Sequence, residues 1–258
     1  MLGRLKGTDF HVHTTMSECA NREATPETVI RRGQEEGLTA IGISDHIFTE
    51  ADFSKPRALR VQLPRAVGNM AIYVGCEAEM HAPDHPTIDM AYAAERDFVV
   101  MAATHLYFLG DKMDDMDAPD LADLICDLTL GALESGCADI LAHPFRVNGC
   151  RFSFPVLVGA VKRDRLMRLA QRAARQRVAI ECNPRFVREY PDAATWLFRC
   201  FLEAGCKLSI GSDAHWPVDI GCNTDEFASE DDLRDLGLSE ESLWTIEDRV
   251  TGTGERME

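Results

Sequence analysis

The chain alternates short runs rich in β-branched and apolar residues with longer segments whose apolar positions recur at helical spacing. Seven such runs stand out, at residues 8–13, 40–44, 71–77, 98–104, 139–143, 178–183 and 207–212. Strand followed by helix, repeated, is the pattern of βα units laid around a parallel sheet, so an α/β fold is expected. The helices have legible ends: Thr25-Pro26 supplies an N-cap and a first-turn proline, and Gly37 closes that helix. Between Arg165 and Gln176, residues Leu166, Leu169, Ala170, Ala173 and Ala174 form one apolar stripe opposite a basic face. Residues 193–204 repeat the pattern with Gly205 at the stop, and another helix is expected at about 240–250. No Ser/Gly/Pro-rich linker or fixed-period repeat interrupts the series. One domain over residues 1–258 is therefore expected, with an acidic C-terminal extension from about residue 223.

Composition narrows the class. Of 258 residues, 45% are hydrophobic and 27% charged, which is ordinary for a globular protein and excludes disorder as the main description. No apolar run is long enough to span a membrane, and residues 1–8 lack a signal-type apolar stretch, so a cytoplasmic location is expected. The net charge of −16 disfavours nucleic acid as the main partner, because phosphate neutralisation needs clustered Lys and Arg. Two segments, 111–127 and 223–258, carry nearly all of that excess and read as solvated surface. The nine cysteines include no Cys-x-x-Cys pair and read as mostly buried thiols in a reducing compartment.

The histidines are placed differently. Six of the eight, His11, His13, His46, His105, His143 and His215, fall at or just after the end of a predicted strand, and Asp45, Glu77 and Asp213 occupy the same kind of position. In a parallel α/β architecture these ends open onto one face, so residues distant in sequence converge there. On a strand, His11 and His13 project to the same side and can reach one cation. Metal binding is the expected outcome. His81 and His85 read as surface residues of a loop at the cleft mouth.

The segments Asp9-Phe10-His11-Val12-His13-Thr14, Ser44-Asp45-His46, Gly75-Cys76-Glu77, Thr104-His105, Ala142-His143-Pro144, Glu181-Cys182-Asn183 and Ser212-Asp213-Ala214-His215 closely resemble the ordered motifs of PHP (polymerase and histidinol phosphatase) domains. The resemblance implies a distorted (β/α)7 barrel with a trinuclear metal centre at the C-terminal ends of the strands. It implies one ion on His11, His13, Glu77 and Asp213, a second bridged by Glu77 and completed by His105 and His143, and a third on His46 and His215. Where the family usually supplies one more Asp or His to the third ion, this chain has Glu18 and Cys19. A carboxylate there suits Mn²⁺ or Fe, and a thiolate suits Zn²⁺. Two or three ions of Zn, Mn or Fe are expected.

Clustered divalent ions suit phosphate ester hydrolysis, because they lower the pKa of water and neutralise phosphoryl charge. Asp45 and His215 are candidates to protonate the leaving group or to orient a ligand. Arg146 and Arg185 are candidate phosphate forks, with Arg22 and Arg188 in reserve. The leading expectation is a phosphoesterase acting on a small phosphorylated metabolite, histidinol phosphate being the familiar family substrate. A nuclease or phosphodiesterase, an amidohydrolase-type enzyme, and a catalytically silent metal-binding scaffold or sensor are the alternatives. Sequence sets no oligomeric state.

Overall fold

Each of the seven apolar runs contains a strand in the computed structural model, which describes residues 5–249. In chain order the strands are β1 (Thr8–Val12), β2 (Ala40–Ile43), β3 (His46–Ile47), β4 (Ala66–Val67), β5 (Met70–Val74), β6 (Cys76–Ala82), β7 (His85–Pro86), β8 (Val99–Ala102), β9 (Ile140–Leu141), β10 (Ala179–Cys182) and β11 (Leu208–Ile210). The run expected as one strand at 71–77 is two, β5 and β6, and the second continues five residues further, to Ala82. Gly75 is the break. A Cβ there would lie 2.5 Å from the Phe98 carbonyl oxygen, so only glycine lets the chain pass this close to its neighbour.

One sheet has the order β1-β2-β5-β4 and the other β11-β10-β9-β8-β6-β3, with β7 added to β6. Apart from the hairpin pairs β4–β5 and β6–β7, all ladders are parallel. Two chain passages carry one sheet into the other. β2 leads to β3 across Ser44 and Asp45, β5 leads to β6 across Gly75, and Gly75 N–H···O Ile43 (2.9 Å) and Glu77 N–H···O Asp45 (3.0 Å) keep them in step. Between β11 and β1 regular pairing gives way to the single bridge Val12–Ala214. The result is a seven-stave α/β arrangement of parallel strands, irregular at these two seams. Buried Asp9 holds the second seam, accepting from the N–H groups of Ser212 (3.0 Å) and Gly221 (3.0 Å).

Strand alternation divides the core. Val99 and Met101 of β8 pack with the helix layer, while Val100 and Ala102 join Phe10, Phe98, Ile140 and Ala179. Trp244 completes this second group, 1% exposed and edge-on to Phe10 at 4.9 Å. No helix spans residues 240–249. Two 3-10 turns, Glu240–Ser242 and Ile246–Asp248, flank Trp244 and let its side chain enter, and Leu243 bridges to Leu208. The acidic segment from 223 is thus partly docked, with Asp248 on Lys207 (2.8 Å); residues 250–258 lie outside the described residues. Acids of the segment 111–127 also find partners: Asp123 and Asp127, on helix Ala118–Ser135, hold Arg165 of helix Arg163–Gln176.

Candidate metal centre

All six strand-end histidines and Glu77 meet at the carboxyl ends of the strands. They form four overlapping groups able to hold an ion among the described residues: His11–His13–Asp213, His11–Glu77–His143, His46–Glu77–Glu79–His105 and His13–His46–His215. In the first region His11 Nε2 lies 3.2 Å from His13 Nε2, and the two nitrogens lie 3.3 and 3.4 Å from Glu77 Oε2 and 3.6 and 3.2 Å from Asp213 Oδ1. Metal–ligand bonds of 2.0–2.1 Å in a tetrahedron would set its edges at about 3.3 Å. The residues present therefore fit a small divalent ion.

The backs of the rings are held so that lone pairs face inward. His11 Nδ1 contacts Glu181 Oε2 at 2.8 Å, His105 Nδ1 contacts both oxygens of Glu79 at 2.7 Å, and His143 Nδ1 contacts Thr104 Oγ1 at 2.8 Å. His13 Nδ1 meets Ser17 Oγ (3.3 Å), which donates to Asp45 (2.7 Å). Fixing Nδ1–H in this way leaves Nε2 as the donor atom toward an ion. His46 presents Nδ1 inward instead, 2.9 Å from Glu77 Oε2; both atoms are buried and neither has a well-formed hydrogen bond. Such orphaned atoms are costly unless something else binds them.

Charge follows geometry. Burial opposes the charge of Glu77, but His46, His11 and His105 hold its carboxyl well below the usual range, and Asp213 is lowered by His11 and His13 against the same penalty. Burial likewise opposes protonation of His11, His46 and His105, yet Glu181, Glu77 and Glu79 raise all three. His13 is taken down to about 3, because burial exceeds the pull of Asp213 and Glu77. Four of the six described non-glycine residues with positive φ, Leu106, His143, Phe145 and Asp213, adjoin these ligand positions, as expected where a fold holds strain at a site.

The profile of the PHP domain matches residues 9–185, more than half the chain. The chain belongs to the PHP domain family. Among curated PHP-like relatives, a Deinococcus radiodurans protein named "Probable histidinol-phosphatase" is 24% identical over 256 residues, covering 89% of this chain and 93% of its own. An Edwardsiella ictaluri protein named "Probable phosphatase" is 30% identical over 222 residues, covering 83% and 80%. The same fold occurs in a histidinol phosphate phosphatase from Lactococcus lactis, solved with zinc, L-histidinol and phosphate. It has a TM-score of 0.62 at 16% identity, over 90% of this chain and 92% of that one.

Within this PHP framework the remaining site candidates separate. Cys19 is exposed and belongs to none of the four groups; burial would raise its thiol, but His215 and His46 bring it down to about 6. Glu18 is exposed and belongs to none of the four groups. Asp45 is buried, with its oxygens taken by Thr14 N–H (2.8 Å), Thr14 Oγ1 (2.6 Å) and Ser17 Oγ (2.7 Å), so it braces the His13 turn. Arg185 is held by Asp219 (3.0 Å) and Glu226 (3.1 Å), whereas Arg146 is exposed with its guanidinium over Phe186. Arg22 and Arg188 are exposed, and His81 stacks on His85 in the β6–β7 hairpin, outside the cluster. Sequence reasoning missed Glu79, and it quoted Glu181 within a motif without giving it a role. Extending β6 past Glu77 would have found Glu79, two residues on and therefore on the same face. It also missed an aromatic rim: Phe48 stacks on His46 (4.7 Å), Tyr107 on His105 (5.4 Å), and Tyr107 is 61% exposed.

Proposed function

We propose that this PHP protein hydrolyses the phosphate monoester of a small metabolite, using divalent ions held by His11, His13, Glu77, Asp213, His105, His143, His46 and His215. The close approach of His11, His13, Glu77 and Asp213 atoms, at 3.2–3.6 Å, carries this reading. When bound, the ions would supply an activated water and positive charge for the phosphoryl oxygens. Glu181, Thr104 and Ser17 hold the imidazoles in the tautomer that accepts an ion. His215, 28% exposed and raised above its ordinary range against burial by Cys19 and Asp213, would hold the proton for a leaving alkoxide when its own group carries no ion. Asp45, whose oxygens accept from three donors, is the less suited of the two candidates for that task.

For phosphate contact, Arg146 is the freer of the two arginines, since Arg185 would first have to leave two carboxylates. The Phe48–Tyr107 rim favours an organic moiety with a planar face beside the cluster. Histidinol phosphate, with its planar imidazole, is the first substrate to test. Phosphate release from it, compared with glycerol phosphate, a bis-aryl phosphodiester and a labelled oligonucleotide after Zn²⁺ or Mn²⁺ loading, decides the matter. Monoester turnover should dominate; faster loss of the oligonucleotide would favour a nuclease, and silence on all four would sink the reading.

A further inference from the structure

The family resemblance divides His46 and His105 between two ions, yet the structure gathers them into one group with Glu77 and Glu79. This is the largest of the four groups, and every member is buried. It alone holds two carboxylates, which together balance the charge of a divalent ion. We propose that Glu79 is a metal ligand, binding through Oε1 the same ion as His46 Nδ1 and Glu77 Oε2. The inference rests on the metal reading above and adds a ligand to which the resemblance gives no role.

Two unsatisfied atoms point to this place. His46 Nδ1 and Glu77 Oε2 lie 2.9 Å apart, buried and without a well-formed hydrogen bond, and Glu79 Oε1 lies 3.5 Å from the same nitrogen. These separations bracket the edge of about 3.3 Å expected around a small tetrahedral ion. Strand pairing sets them. His46 of β3 stands opposite Glu77 of β6, and Glu79, two residues on, projects to the same face. Thr87 Oγ1 ties that register down, accepting from Glu79 N–H (2.9 Å) and donating to the Ile47 carbonyl (2.9 Å). His105 does not compete for the ligand atom: its Nδ1 lies 2.7 Å from each Glu79 oxygen, so Oε2 alone can accept its proton. Three protein ligands leave one position open, as in catalytic rather than structural sites.

The first test uses the wild-type chain, labelled with nitrogen-15 at histidine and loaded with Zn²⁺. His46 should bind metal through Nδ1; an Nδ1 that stays protonated in the loaded protein would overturn the proposal. The second counts ions per chain after metal-free protein is dialysed against Zn²⁺ or Mn²⁺. Glu79→Gln keeps an oxygen for the His105 N–H and loses the charge, and it should bind one ion fewer than wild type. His46→Gln should lose the same ion, so the double variant should lose no more than either single variant. A full count in Glu79→Gln, or a further ion missing from the double variant, would mean that Glu79 only braces His105. Either result would overturn its place as a ligand and leave the other ligands standing; a wild-type chain that bound no ion at all would overturn both.

Discussion

His11 and His13 face each other through their Nε2 atoms at 3.2 Å, while Glu181 holds the first ring from behind and Ser17 the second. Two lone pairs this close repel unless a proton or a cation lies between them. The pair is therefore set by what stands behind it.

Glu181→Gln keeps the shape of the group behind His11 and removes its charge. Metal affinity should fall by about 10- to 100-fold, the range seen when such supporting carboxylates are lost. Gly211→Ala should act on the same ring, because its Cβ would lie 2.9 Å from His11 Cβ and 3.1 Å from Glu181 Cγ. Competition with a chelator of known affinity checks both; unchanged affinity in both would remove Glu181 from the account.

In metal-free protein, His11, His46, His105 and His215 have raised pKa values, so an ion must displace protons. Apparent metal affinity should rise with pH. The stability those imidazoles give the metal-free fold has the opposite sense. It is complete below their unfolded value, about 6.5, and is lost as pH rises through the folded values. Glu77 and Asp213, both lowered, contribute above about pH 4 and are lost as pH falls. The gap in Tm between zinc-loaded and metal-free protein should thus widen from pH 5.5 to 8.5. Thermal melts across that series would show it, and a constant gap would contradict it.

Tyr107 lies over His105 and presents most of its ring to solvent. Tyr107→Ala should raise KM for a planar leaving group by about 3- to 10-fold, the worth of one ring contact, with kcat little changed. Steady-state kinetics on histidinol phosphate and glycerol phosphate separate the cases. An equal loss on both would mean that Tyr107 supports His105 and does not meet the substrate.

Trp244→Ala should cost about 3–5 kcal/mol, since the ring is buried against Phe10 and Phe98. Chemical denaturation monitored by circular dichroism measures this. A loss below about 1 kcal/mol would mean that the segment after residue 222 is an appendage.

Much of the site was legible because strand ends are legible. A histidine closing an apolar run must lie on the open face once the strands are parallel, and this placed His11, His46, His105 and His143 without knowledge of pairing. Gly75 stood in a quoted segment, but its role as a strand break was hidden because it depends on Phe98, 23 residues away and adjacent only in the fold. Glu181 lies inside an apolar strand, where a lone acid carries no periodic signal, and its partner is 170 residues distant. The ion pairs of Arg185 were hidden for a similar reason: Asp219 and Glu226 belong to a loop whose path sequence does not fix.

The irregular seam between β1 and β11 bears on the life of the chain before it reaches its final form. His11 and His13 are made early in synthesis and Asp213 and His215 some 200 residues later, yet they form one cluster across a single bridge. A growing chain with its first six βα units in place still lacks two of the converging groups. The groups His11–Glu77–His143 and His46–Glu77–Glu79–His105 are complete in sequence by residue 143, whereas the two that use Asp213 or His215 can form only once the last strand has left the ribosome, so a truncated product can assemble no more than half of the centre.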